Sequence, residues 1–152
     1  MATLDPDRVC RQVRVSSDGI FFASCKGSPY LSLNYHRSET GTRYQKSIWV
    51  ISRSDECHMF CEAEMYDWSD TGGNYWAISK NGQVVIGQLD ERLAFFGAPG
   101  NPTDPWHGYP VGGLGRTEGS TARRPPNAII KIWREPGWIT YVTYSRLMNG
   151  RL

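Results

Sequence analysis

One histidine in this chain stands among residues that could set it up for proton transfer or for ligand contact. His107 follows Asp104 and Trp106 and precedes Gly108 and Tyr109, inside a Gly/Pro-rich stretch that runs from Ala98 to Arg116. An imidazole titrates near neutral pH, so it can carry a proton or bind a ligand. Trp106 and Tyr109 offer flat faces to a planar group, and Gly108 lets such a group come close to the backbone. Arg116, Arg123 and Arg124 lie just downstream. With the amides of Gly112, Gly113 and Gly115 they form a loose anion site, although neither a P-loop nor a dinucleotide glycine pattern is present.

Other groups carry weaker signals. Glu62, Glu64 and Asp67 form a second group; on a strand over Phe60 to Tyr66, Glu62 and Glu64 would share the wet face, where paired acids can hold a divalent ion but more often meet only solvent. The four cysteines are Cys10, Cys25, Cys57 and Cys61. Cys57 and Cys61 have a spacing that zinc sites permit, but no second tight pair accompanies them. Cys57, Met59, Cys61, Ala63 and Met65 alternate with His58, Phe60, Glu62, Glu64 and Tyr66, the period-two signature of a strand. Buried free thiols are therefore expected, ahead of a disulfide or a metal site.

Acids cluster between Ser54 and Gly73 (Asp55, Glu56, Glu62, Glu64, Asp67, Asp70) without a Lys or Arg, and the segment from Gly113 onward is basic. The net charge of +2 is too small to demand a nucleic-acid partner. At 152 residues, with 39% apolar and 21% charged residues, the chain has the size and composition of one globular domain, taken here as 1–152. No apolar run approaches the roughly 20 residues needed to cross a bilayer. The N-terminus lacks the basic start and apolar stretch of a secretory signal, so a cytoplasmic protein without membrane association is expected.

The elements that must position His107 read as follows. Val13 to Val15, Ile20 to Ser24, Tyr30 to Tyr35 and Ser47 to Ser52 are short β-branched or aromatic runs parted by turn residues. Tyr75–Lys80 and Gln83–Gln88, joined by Asn81-Gly82, predict a hairpin with a type I′ turn. Arg92 to Phe96 is a strand or a brief helix. Asn127 to Arg134 predicts a helix after Pro125-Pro126, stopped by Pro136-Gly137. Trp138 to Leu152 reads as a helix ending at Asn149-Gly150, with strand content through Tyr144 as the rival. Its apolar residues suit packing on a sheet better than base reading in a helix-turn-helix.

The fold class expected is α+β: an antiparallel sheet of six to seven short strands, a C-terminal helix or helix pair on one face, and a long ordered Gly/Pro loop. Two functions are compatible with it. The first is a small intracellular binding protein of adaptor, inhibitor or immunity type, holding a protein partner or small ligand through Asp104, Trp106, His107, Gly108, Tyr109, Arg116, Arg123 and Arg124. The alternative is a nucleotide- or nucleic-acid-processing enzyme (hydrolase, nuclease or transferase), with His107 as acid/base and the three arginines on phosphate. No cofactor and no metal is called for by either.

Overall fold

The computed structural model describes residues 10–37, 48–111 and 124–151. Arg116, Arg123 and the glycines from Gly112 to Gly115 lie outside them. Strands β1 (Arg11–Val15), β2 (Gly19–Ala23) and β3 (Pro29–Leu33) form one antiparallel sheet, ordered as in the chain. Helix α1 (Arg53–Met65) follows, then β4 (Tyr75–Ile78), β5 (Leu93–Gly97) and β6 (His107–Val111), which make a second antiparallel sheet in the same simple order. Helices α2 (Asn127–Arg134) and α3 (Tyr141–Met148) close the chain. The α+β class and the C-terminal helix pair therefore stand.

The single sheet does not. The strands divide into two three-stranded sheets that meet at one residue: Trp106 donates its amide to Pro29 O (2.9 Å) and accepts from Leu31 N (2.8 Å), just ahead of β6. The long loop is also corrected, because its middle is a strand. His107 to Val111 runs antiparallel to β5 in unbroken register, from Gly97 opposite His107 to Leu93 opposite Val111. Glycine and proline counts suggested a loop, yet Gly108 and Pro110 are buried on one face of β6, where small or compact residues fit.

The expected strand from Cys57 to Tyr66 is a helix. Ser52 caps it by accepting from the Asp55 amide (3.1 Å), and Asp55 and Glu56 place negative charge in the first turn. The buried positions are Glu56, Cys57, Met59, Phe60, Cys61, Ala63 and Glu64, a helical stripe. Two of its members are carboxylates, so a count of apolar residues hides the period. Phe60 is fully buried, with the rings of Tyr30, Tyr75, Phe96 and Trp106 at 5.0, 5.9, 5.4 and 5.4 Å around it. That aromatic cluster sits between α1 and both sheets.

The Asn81-Gly82 hairpin also fails, though its turn chemistry holds. Both residues adopt positive φ, as the dipeptide predicts. The strand after them never pairs with β4; β5 does, with Tyr75 opposite Phe96 and Ile78 opposite Leu93. The turn is captured by the C-terminal helices instead: Asn81 N donates to Trp138 O (3.2 Å), and Thr143 Oγ1 donates to Asn81 O (3.0 Å). Of the segment expected as a strand from Ser47 to Ser52, the described residues 48–52 make only an isolated bridge, Trp49 to Gly87, before Ser52 begins the α1 cap.

In the tail, Ile129, Ile130, Trp133, Ile139 and Leu147 are fully buried. Trp133 meets Trp68 edge to face at 5.8 Å, and Trp138 Nε1 donates to Ile78 O (3.1 Å). α3 stops at Asn149, and Gly150 takes a left-handed φ of 72° as the sequence requires. The thiol expectation needs correction as well, since Cys10 and Cys57 form a disulfide with Cα atoms 5.9 Å apart, while Cys25 and Cys61 are free. The alternation that pointed Cys57 at an apolar sheet face was helical, and α1 turns it toward the residue preceding β1.

Candidate functional site

The residues around His107 separate into two sets along β6. Trp106 is half-buried, with its ring against Tyr75 (5.0 Å) and Phe60 (5.4 Å), so it packs the seam between the sheets. Gly108 is buried for the same reason; its carbonyl accepts from Trp49 Nε1 (3.3 Å) on the core side. His107 and Tyr109 alternate with it and share the opposite face. Tyr109 tilts against Phe95 at 5.6 Å and stacks on His36 at 5.5 Å and 28°. His36 in turn meets Tyr35 edge to face at 4.9 Å, and Tyr35 is 56% exposed.

The face of the second sheet thus carries a run of rings from buried Phe95 through Tyr109 and His36 to solvent at Tyr35. His107 lies about 7 Å along the strand from Tyr109 on that face. Its imidazole is exposed and has no hydrogen-bond or ion-pair partner among the described residues. Crowding by the surrounding chain still holds its pKa below the ordinary histidine value, so it is neutral at pH 7. Gly97 stands opposite His107 in register, and a Cβ built there would meet the edge of the Phe95 ring at 3.5 Å, so Phe95 borders the position beside the imidazole.

Asp104 is exposed in a turn held by Asn101, which accepts the Asp104 amide (3.0 Å). Arg124 has a task within the fold: its Nη2 donates to Leu147 O (3.2 Å) and Met148 O (2.9 Å), closing the C-terminal end of α3. Of the expected binding residues, the structure brings His107 and Tyr109 together on the β6 face opposite Gly108, exposed at His107, half-buried at Tyr109 and covered beyond it, where Trp76, Phe95, Leu93 and Val111 are buried. Trp106 and Gly108 face the interior, and Arg124 sits at the far end of the last helix.

The acidic cluster does not form. Two residues apart on a helix, Glu62 and Glu64 point about 200° away from each other. Glu62 meets His58 Nε2 at 3.0 Å, and this hydrogen bond is the main cause of a raised His58 pKa. Glu64 is buried and accepts from Ser24 Oγ (2.6 Å) and from Ser28 Oγ. Asp67 accepts from Ser69 Oγ (2.9 Å).

A second polar centre was not singled out in the sequence. Glu56, fully buried, accepts from Tyr30 OH (2.5 Å), Ser32 Oγ (2.8 Å) and Arg37 Nη2 (2.7 Å). Burial pushes the Glu56 carboxyl up, against the donors that favour its charge, and pushes the Tyr30 phenol well above its usual value. Both carboxylate oxygens are satisfied from within the fold, so this network clamps α1 to β3. The only hint in the sequence was a glutamate one residue before a buried cysteine. No helix among the described residues is long and apolar enough to cross a membrane. The chain matches no known family model, no curated protein and no solved structure.

Proposed function

We propose that this chain is a small binding protein that takes a planar group, from a protein partner or a small ligand, onto the exposed end of the second sheet at His107 and Tyr109. One observation carries the reading: an exposed imidazole with no partner among the described residues shares a face of β6 with Tyr109, whose ring stacks on His36, and His36 meets exposed Tyr35 edge to face. Aromatic faces supply contact area at low conformational cost, and a neutral imidazole both donates and accepts. No cofactor is needed for this role. The rival enzyme reading places phosphate on Arg116, Arg123 and Arg124; the first two lie outside the described residues, and a role for Arg124 would require its guanidinium to leave the α3 carbonyls it caps.

The test is NMR of the aromatic side chains titrated with three probes: indole, adenosine and AMP. Perturbations confined to His107, Tyr109 and Tyr35, equal for adenosine and AMP and diminished about tenfold by Tyr109→Ala, support the proposal. Preference for AMP over adenosine together with phosphate release abolished by His107→Ala supports the enzyme instead. Uniformly unresponsive signals on this face overturn the binding site.

A further inference from the structure

All four cysteines of the chain converge on one place, although they come from three separate segments. Cys10 immediately precedes β1, and Cys25 follows β2 after one residue, Ser24; antiparallel pairing of Arg11 with Ala23 brings these two ends of the hairpin together. Cys57 and Cys61 are one helical turn apart on the buried stripe of α1. The sulfurs of Cys10, Cys57 and Cys61 all lie within 4.8 Å of one another. Cys25 joins them at its backbone, donating its amide to Cys61 Sγ (3.1 Å), while its own thiol reaches Cys61 O at 3.8 Å.

A single structural disulfide needs two cysteines. We propose that the cluster is a redox-controlled zinc site: when reduced, Cys10, Cys25, Cys57 and Cys61 hold one Zn²⁺ as a tetrathiolate, and the Cys10–Cys57 disulfide is its oxidised, metal-free form. A Zn–S distance of about 2.3 Å sets tetrahedral S···S edges of roughly 3.8 Å, the scale on which three of these sulfurs are already gathered. The chain offers two ligands from a hairpin end and two from successive turns of a helix; the Cys25 thiol, directed at Cys61 O and outside the three-sulfur group, turns inward to complete four-coordination.

The fourth ligand is held by contacts that involve no sulfur. The turn from Ser24 to Ser28 is closed by Ser24 N to Ser28 O (2.9 Å) and Gly27 N to Ser24 O (2.8 Å). Glu64, three residues beyond Cys61, accepts from both Ser24 and Ser28, fastening the Cys25 turn to α1. This explains why a glutamate is buried at that position. Such outer contacts fix ligand orientation, and the Cys25 amide is a donor that stabilises a thiolate on Cys61. Arg11 and Lys26, each next to a ligand in sequence and both exposed, offset the net charge of −2 expected of a zinc tetrathiolate.

The chemistry balances in two steps. A dithiol reductant transfers two electrons and two protons to the Cys10–Cys57 bond, yielding two thiols and its own disulfide. Four thiols then take up one Zn²⁺ and release four protons. Oxidation of the zinc-bound form by hydrogen peroxide, with uptake of four protons, gives the Cys10–Cys57 disulfide, the Cys25 and Cys61 thiols, two water molecules and free Zn²⁺.

The experiment is Co²⁺ and Zn²⁺ binding to the full chain kept reduced and anaerobic, with thiols counted in parallel and folding followed by far-UV circular dichroism. Expected is one Co²⁺ per chain, with the intense thiolate-to-metal charge transfer and tetrahedral d–d bands of sulfur ligation, displaced by one Zn²⁺. Cys61→Ser should abolish the spectrum. Cys25→Ser should weaken binding at least about tenfold and reduce the charge-transfer intensity. A folded chain with four titratable thiols and no cobalt spectrum overturns the proposal, as does a disulfide that persists in excess dithiol. If the reduced chain unfolds, refolding on addition of Zn²⁺ supports the site, and failure to refold overturns it. None of these outcomes depends on binding at His107, so the two proposals fail separately.

Discussion

Replacing Gly108 with alanine separates a packing role from a ligand-contact role at the centre of β6. A Cβ built there lies 2.2 Å from Phe96 Cδ1, 2.5 Å from the Phe95 carbonyl oxygen and 2.7 Å from Phe96 Cε1. Ordinary carbon contacts are about 3.5 to 4.0 Å, so neighbours must move by more than about 1 Å. Neither neighbour is free to do so. The Phe96 ring is fully buried against Phe60 (5.4 Å), Tyr30 (5.9 Å) and Trp49 (6.3 Å), and the Phe95 oxygen belongs to the paired strand. Overpacking typically costs about 1 to 3 kcal/mol, and a backbone clash puts Gly108→Ala at the upper end, about 3 kcal/mol. For a chain of this size, Tm should fall by roughly 6 to 12 °C. Differential scanning calorimetry, with urea unfolding as a check on the slope, measures it. A Tm within about 2 °C of the parent would refute the packing argument. Loss of ligand binding at unchanged stability would return Gly108 to the site as a point of backbone approach.

Trp106→Ala should cost about 3 kcal/mol in urea unfolding, because the ring fills the seam between sheets; loss of binding without loss of stability would show instead that it faces a ligand. Arg124→Ala frees the Leu147 and Met148 carbonyls and should destabilise by about 1 kcal/mol, with amide exchange accelerating first at Arg146 to Arg151; unchanged exchange there contradicts the cap. At Asp70, burial pushes the carboxyl up, but hydrogen bonds from Trp76, Asn74 and Gly72 together outweigh it and hold the pKa below the usual carboxylate value. A lowered folded pKa stabilises above the unfolded value near 4, and the stabilisation is lost as pH falls through the folded one. Asp70→Asn should therefore flatten the acid limb of stability against pH, and an identical limb in parent and variant would refute it.

Where local chemistry and burial agree, the sequence is legible. Ile129, Ile130 and Trp133 mark α2, and Asn149-Gly150 marks the end of α3 with the left-handed φ expected of it. β1 to β3 fall close to their β-branched and aromatic runs, separated by the turns that Asp18-Gly19 and Gly27-Ser28 announce. α1 is illegible by the same reasoning because its buried stripe includes Glu56 and Glu64, whose partners come from β3 and from the turn after β2. A carboxylate can lie inside only when donors reach it, and those donors are 19 to 40 residues away in sequence. The candidate site was partly legible for a related reason. His107 and Tyr109 were identifiable by type, but alternation along β6 is what sends them to the face opposite Gly108, where the His107 ring is exposed at the strand's end.

By itself, then, the sequence determined the mixed class, the short antiparallel strands, the helical tail and the segment that carries the exposed imidazole. These depend on interactions among residues a few positions apart, and propensity, turn stereochemistry and periodicity report them directly. Tertiary structure alone decided that Asn81-Gly82 would dock on the helix pair instead of closing a hairpin, that two sheets would meet at Trp106, and that four scattered cysteines would share one site. Each of those outcomes is set by which distant surface buries most area and satisfies most polar groups, a comparison among whole arrangements that no local window contains.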